Sequence, residues 1–245
     1  RRAELASALL MIPSYFSWIA AQLVAMGIVL KIVLGWELLP CILMSSTIVV
    51  IYTNLGGMWS ISVTDFFQTI MIIVGLVVIA YVMFTKIDHP STLTSELPAN
   101  FFDFLPPATT HGWLTYLTAW ITIGLGSIPQ QDVFQRVMSA KNEDTAVKSA
   151  YLASFLYVTI ALLPLFIALC GKVLYPELAK EDLQMLIPNL ILLHTSLPIQ
   201  ILFFGALVSA ILSTTSSAIM APATVMGENI VKFFIPSLSD KQLLL

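Results

Sequence analysis

Ile70-Met71-Ile72-Ile73-Val74-Gly75-Leu76-Val77-Val78-Ile79-Ala80-Tyr81-Val82-Met83-Phe84 runs on without a charged side chain. It is the larger part of an apolar segment over 58–84, and that segment decides the fold. Such a run satisfies its backbone N–H and C=O groups in lipid only as a helix. The short alternating strands of a membrane barrel are not what this pattern spells. Five more apolar segments lie at 5–34, 39–54, 112–140, 146–171 and 195–233. The expectation is an all-α, polytopic membrane helix bundle of six spans. The segment 39–54 is short for a hydrocarbon core of ~30 Å. The segments 112–140 and 195–233 are too long for plain spans, so each tilts, breaks or runs on past the membrane.

Composition agrees. Of 245 residues, 58% are hydrophobic and 10% are charged, where a soluble domain has about 25% charged. Mean hydropathy is +0.91. These values exclude a soluble enzyme, a disordered segment and a nucleic-acid binder, which needs a dense basic face. The expected surroundings are therefore a lipid bilayer, with no nucleic-acid partner and no catalytic chemistry. Cys41 and Cys170 are too few and too far apart for a disulfide scaffold or a thiolate metal site.

Placing the N-terminus in the cytoplasm puts Arg1, Arg2, Arg136, Lys141, Lys148, Lys232 and Lys241 inside. Lys31, Lys86, Lys172 and Lys180 then lie outside. That bias follows the positive-inside rule and predicts a multi-pass protein of the plasma (inner) membrane. The outer loop 85–111 carries Asp88, Pro90, Glu96, Pro98, Asp103, Pro106 and Pro107, which predicts an irregular connection. The outer segment 172–194 predicts a short surface helix around Glu181 to Leu186. The chain opens on Arg1-Arg2 rather than Met, which reads as a piece of a longer protein.

Polar residues inside the spans carry the functional signal, because burying them costs several kcal/mol unless they find partners. In the first cluster, Gly56-Gly57 predicts a tight inner turn. Asp65 follows about two turns into the next span. A carboxylate there costs on the order of 3 kcal/mol to insert. It is paired, or it caps a helix start near the interface, or it faces a wet cavity and meets a cation. The second cluster is Gly124-Leu125-Gly126-Ser127-Ile128-Pro129-Gln130-Gln131. Two glycines and a proline interrupt an apolar helix, either as a packing kink or as the broken backbone that marks a transporter's binding site. The third, Phe134 to Lys141, is a basic helix end whose Arg136 and Lys141 set topology or pair as a gate. The fourth, Ser209 to Ser217, holds six hydroxyls in nine residues. They bond back to the preceding turn, glue helices together, or offer neutral oxygens to a small hard cation.

In this order the clusters resemble the sodium:solute symporter family. Its hallmark Gly-Gly-x-x-x-x-x-x-Thr-Asp-x-x-Gln stands here as Gly56 to Gln68. Pro129-Gln130, Gln135-Arg136 and Ser139-Ala140-Lys141 resemble its broken-helix exit, and Ala210 with Ser213-Thr214 its sodium helix. Within the family, Gly126 to Val137 and Trp18-Ile19-Ala20-Ala21 look nearest to the choline-transporter branch, although Gln130 stands where that branch carries a tryptophan. Tyr157 and Ile123 stand where the sugar branch carries a lysine and an asparagine.

The resemblance implies a leucine-transporter-type architecture of two inverted five-helix repeats (5+5). Residues 1–84 would be core helices three to five, 85–111 the external junction and 112–245 core helices six to eight. The N- and C-terminal helices of the same protein would be missing partners. It implies Na⁺ as the coupling ion, held by the Ala210 carbonyl and the Ser213 and Thr214 hydroxyls, with Asp65 near the exit route. It implies a small organic solute contacted by Trp18, Gly126, Ser127, Gln130 and Gln131. The function expected is sodium-coupled secondary active symport. Two alternatives stay open: a solute-sensing membrane module linked to a histidine kinase, and a proton-coupled transporter of the same fold.

Overall fold

A computed structural model of the chain describes residues 2–95, 97, 100–126, 128, 130–181, 185–237 and 239. Regular structure among them is entirely helical. In chain order the α-helices are α1 (Arg2–Leu34), α2 (Leu38–Thr85), α3 (Pro90–Ser95), α4 (Thr110–Gly126), α5 (Gln131–Met138) and α6 (Glu143–Ile160). There follow α7 (Leu162–Leu174), α8 (Pro176–Glu181), α9 (Leu186–His194) and α10 (Leu197–Val225). A π-helical turn, Met226–Val231, then leads into α11 (Lys232–Phe234). The chain divides into two compact units, one of Arg1–Ile72 with Ile201–Leu245 and one of Ile73–Gln200.

In the first unit α1 ends at Gly35. Its φ of +69° is left-handed, and its N–H donates to the Lys31 carbonyl at 2.9 Å. Glycine takes that conformation without a Cβ penalty, so the helix stops here. The returning helix comes very close. A Cβ on Gly27 would lie 2.5 Å from Ile42 Cγ1 and 3.2 Å from the Ile42 backbone. Small residues at such crossings let helix backbones pack in lipid. Gly27→Ala is therefore expected to cost about 1–3 kcal/mol. A thermal melt of the purified full-length protein should show a lower Tm, and an unchanged Tm would contradict the close crossing. Further along, Ala8 and Ile12 of α1 pack with Val225 at the end of α10, flanked by Met11 and Ile230.

The tight turn expected at Gly56-Gly57 is not formed: the α2 backbone stays helical through both glycines. Glycine in a helix interior costs only about 1 kcal/mol, and no proline follows over 58–64 to force an exit. A helix of 48 residues is more than twice what one crossing needs. By composition it holds two candidate spans, Leu38–Leu55 and Ile61–Thr85.

The second unit is more broken, and its prolines explain why. Pro164 has no N–H for the Ile160 carbonyl and crowds it, so α6 and α7 part at Ala161. Pro90 and Pro176 occupy the first positions of α3 and α8, where a missing N–H costs nothing. The connection 85–111 thus contains one short helix, α3, where only irregular chain was expected. The surface helix expected around Glu181 to Leu186 falls on 182–184, which lie outside the described residues; α8 ends at Glu181 and α9 begins at Leu186. Asn142 caps α6 by accepting from the Thr145 N–H at 2.9 Å.

Among the described residues, five helical stretches are long and apolar enough to cross a membrane: Arg2–Leu34, Leu38–Leu55, Ile61–Thr85, Glu143–Leu174 and Leu197–Phe234. The protein is an all-α, integral, multi-pass membrane protein. The segment 112–140, expected to tilt, break or run on, is divided between α4, with 17 residues, and α5, with 8. Neither alone reaches the ~20 residues of a full crossing.

Candidate functional site

The hydroxyl run expected to hold a cation lies on α10, in the first unit. Its residues have different fates. Thr215 is buried and donates to the Ile211 carbonyl at 2.6 Å, so its hydroxyl proton is used within the helix. Thr214 donates to the Ala210 carbonyl at 2.9 Å. That bond ties together two of the expected sodium ligands, while leaving lone pairs on both oxygens. Ser213 is half-buried, three residues before the fully buried Ser216 and hence on the same helix face. Ser216 Oγ accepts from Thr53 Oγ1 of α2 at 3.1 Å. This hydroxyl pair stitches α10 to α2.

On α2 a second polar patch follows. Tyr52 and Thr64 hydrogen-bond through their hydroxyls, and Thr64 also donates to the Ile61 carbonyl. Asp65 is half-buried, with its Oδ1 shielded from solvent. Gln68, one turn on, has an equally shielded Oε1 that accepts no hydrogen bond from the described residues. This polar patch thus keeps one oxygen of each side chain out of water, and for Gln68 Oε1 that is costly unless a group outside the described residues meets it. Trp18, expected to touch solute, sits on α1 and is 50% exposed.

The second unit holds the interruption. α4 ends at Gly126 and α5 begins at Gln131. Gln130 between them is extended, at φ −69° and ψ 120°, and its side chain makes no capping bond. A Cβ on Gly124 or Gly126 would meet open space, so neither glycine is required by crowding. They favour the break instead through poor helix propensity. Gln131 is half-buried and Gln130 exposed. Ser127 and Pro129 lie outside the described residues. After the break, Asp132 in the first turn of α5 and Arg136 in its last suit the helix dipole.

Sequence reasoning held Ser216 only as a member of a polar run and did not single out Thr53, and the bond between them needed the fold. It missed another cluster altogether. Lys86, just past the end of α2, donates to the His194 carbonyl at 2.6 Å and to Tyr175 Oη at 3.4 Å. The Tyr175 ring stacks on the His194 imidazole at 3.6 Å and 15°. These residues come from three segments over a hundred positions apart in total, with no local motif to flag them.

Burial, and after it the Lys86 charge, holds the His194 imidazole below its usual pKa. The unfolded chain therefore takes up that proton more readily than the folded one. The neutral imidazole contributes stability above about pH 6.5, and that contribution is lost as pH falls through the lowered folded value. Lys86→Gln removes one of the two causes. The His194 titration, followed by NMR of the imidazole carbon-bound protons, should move upward. A midpoint that stays in place would contradict the role given to Lys86.

The matched relatives fit this geometry of broken and hydroxyl-rich membrane helices. The model of the sodium:solute symporter family matches residues 1–245. The chain belongs to the sodium:solute symporter family. The high affinity choline transporter 1 of Homo sapiens is 27% identical over 259 residues, covering 96% of this chain and 43% of that protein. The osmoregulated proline transporter OpuE of Bacillus subtilis is 27% identical over 252 residues, covering 99% of this chain and 50% of that protein. Among solved structures, a Na⁺-coupled sialic acid symporter in a substrate-bound, outward-open state superposes with a TM-score of 0.82. It shares 20% identity, and the match covers 97% of this chain and 53% of that one. At that identity the likeness establishes the transporter fold. The chain spans about half the length of the relatives it matches. These relatives of the family member are named as transporters rather than enzymes.

Proposed function

We propose that the chain is the middle portion of a sodium-coupled secondary symporter that moves a small organic solute across the plasma membrane. The single observation that carries this reading is the hydroxyl face of α10, set in a chain whose whole length matches the family model. Neutral oxygens suit a small hard cation, and a helix that spends them in lipid without a ligand gains little. We assign Na⁺ to the Ala210 carbonyl and the Ser213 and Thr214 hydroxyls, with Asp65 as the acid that receives the ion on its way out. Solute contact is assigned to Trp18 in the first unit and to Gly126, Ser127, Gln130 and Gln131 in the second. The N-terminal end is cytoplasmic, following the lysine and arginine bias. Residues 1–84 are core helices three to five, 85–111 is the external junction and 112–245 are core helices six to eight. The helices of the same protein that lie outside the chain complete both sites.

The energetics suffice without ATP. One Na⁺ moving down ~100 mV releases about 2.3 kcal/mol. A tenfold concentration gradient adds roughly 1.4 kcal/mol. Together they support a solute gradient of several hundredfold. Relatives named for choline and for proline support a small organic solute. The test is uptake by the full-length protein in liposomes, with choline, betaine, proline, short carboxylates and sugars offered in turn. An inward sodium gradient should drive accumulation of at least one of them. Accumulation that follows an imposed pH gradient and ignores sodium would replace Na⁺ by H⁺ in this account.

A further inference from the structure

The connection between α3 and α4 is not simply a tether. It folds back on the first turn of α4 and borders an open cavity of about 400 Å³, with Phe104 75% exposed at its edge. That volume is within the range of small-molecule sites, about 300–1,000 Å³. Its walls are Asn100, Asp103, Phe104, Pro106, Pro107 and, from α4, Tyr116.

Local structure fixes this wall. The Asp103 N–H donates to the Asn100 carbonyl at 3.2 Å, which holds the carboxylate and the amide on one turn. Thr109 caps α4 by accepting from the Gly112 N–H at 3.1 Å. Gly112 lets the chain press close: a Cβ there would lie 2.7 Å from the Pro107 carbonyl oxygen. Phe104 meets Tyr116 edge to face at 6.4 Å, and Tyr116 is flanked by Trp113 and Trp120, each at 6.1 Å. The cavity thus combines two aromatic rings with one carboxylate and contains no basic side chain.

Charge in the wider connection has the same sign. Over 85–111 there are three acids, Asp88, Glu96 and Asp103, against one lysine, Lys86. Lys86 is itself bonded to Tyr175 and the His194 carbonyl. The net charge of the connection thus favours a cation over an anion, as does Asp103 in the cavity wall.

We propose that this cavity is a second binding site, separate from the sodium helix, for a small organic cation of the ammonium type. Asp103 supplies the countercharge, and the Phe104 and Tyr116 rings supply the cation–π wall. Residues 100–107 belong to no candidate span and are exposed apart from the half-buried Pro106. The site captures a cation beside the membrane and does not depend on the coupling site.

The experiment is equilibrium binding of radiolabelled tetramethylammonium to the purified full-length protein in sodium-free buffer. Saturable binding in the millimolar range or tighter is expected, and neutral tert-butanol, of similar shape, should not compete for it. Asp103→Asn keeps the side chain's size in an exposed turn and should weaken binding by about tenfold or more. The double substitution Ser213→Ala with Thr214→Ala should leave the affinity where it was. Any of four results overturns the proposal: no saturable binding, equal competition by tert-butanol, an Asp103→Asn affinity equal to wild type, or loss of binding in the serine–threonine double variant. None of them bears on sodium-driven uptake, which stands or falls on its own measurement.

Discussion

Replacing Ser213 and Thr214 together by alanine abolishes sodium-driven accumulation in the full-length protein, while the protein still folds and inserts. Alanine is the best helix former, and the pair sits mid-helix on α10, so the backbone loses nothing. What is lost is two hydroxyl oxygens. Thr214 donates its proton to the Ala210 carbonyl, which orients its lone pairs away from that bond. Ser213 is half-buried on the face that bonds Thr53 through Ser216. Without these oxygens α10 contributes only the Ala210 carbonyl to the ion site, and a hard cation with too few ligands stays in water. The accumulation ratio should fall to about one, since a carrier without a coupled ion only equilibrates its solute. Thr215→Ala is the internal control. Its hydroxyl is committed to the Ile211 carbonyl, so coupling should persist. A double variant that accumulates solute normally would reduce Ser213 and Thr214 to packing groups.

Asp65→Asn should raise the sodium concentration for half-maximal uptake by about tenfold or more, or slow sodium release by a similar factor. A hydrogen-bonded or ion-bound charge is worth roughly 1.5–3 kcal/mol more than its neutral isostere. Asparagine keeps the shape and one acceptor, so the helix and its neighbours are undisturbed. The Asp65 Oδ1, and the Gln68 Oε1 a turn later, are each shielded from solvent although their side chains are half-buried. Sodium dependence measured at fixed solute concentration reads the effect. A curve superimposable on wild type would remove Asp65 from the ion's path.

Much of the architecture was legible because lipid imposes one rule. Apolar runs without charges have to be helices, and that placed α1, the two outer ends of α2, the start of α6, the end of α7 and the start of α10 to within a few residues. The interruption between Gly126 and Gln131 was legible in part, since two glycines and a proline inside such a run spell either a packing kink or a break, and the helix ends at Gly126. Gly56-Gly57 misled because glycine is only weakly helix-breaking, and nothing local says whether a turn or a continued helix wins. The split at Ala161 was missed for the opposite reason. Pro164 stood in plain view, but the hydropathy around it is uniform and hides the break.

The candidate ion site was readable as a composition, six hydroxyls in nine residues, but not as a division of labour. Only the fold separates Thr215, used up inside the helix, from Ser216, which bridges to Thr53. The Lys86–Tyr175–His194 cluster carried no local signal, because its members meet only after three separate helices have ended near one another.

The central claim is that the family member couples an alkali ion to a solute. Its most direct test uses liposomes containing the full-length protein, a solute found active in the uptake panel, and radiosodium. Solute should accelerate sodium entry, and sodium should tighten solute binding by the same factor by which solute tightens sodium binding. Sodium entry that is indifferent to solute, with solute accumulation driven equally well in sodium-free buffer, would contradict it.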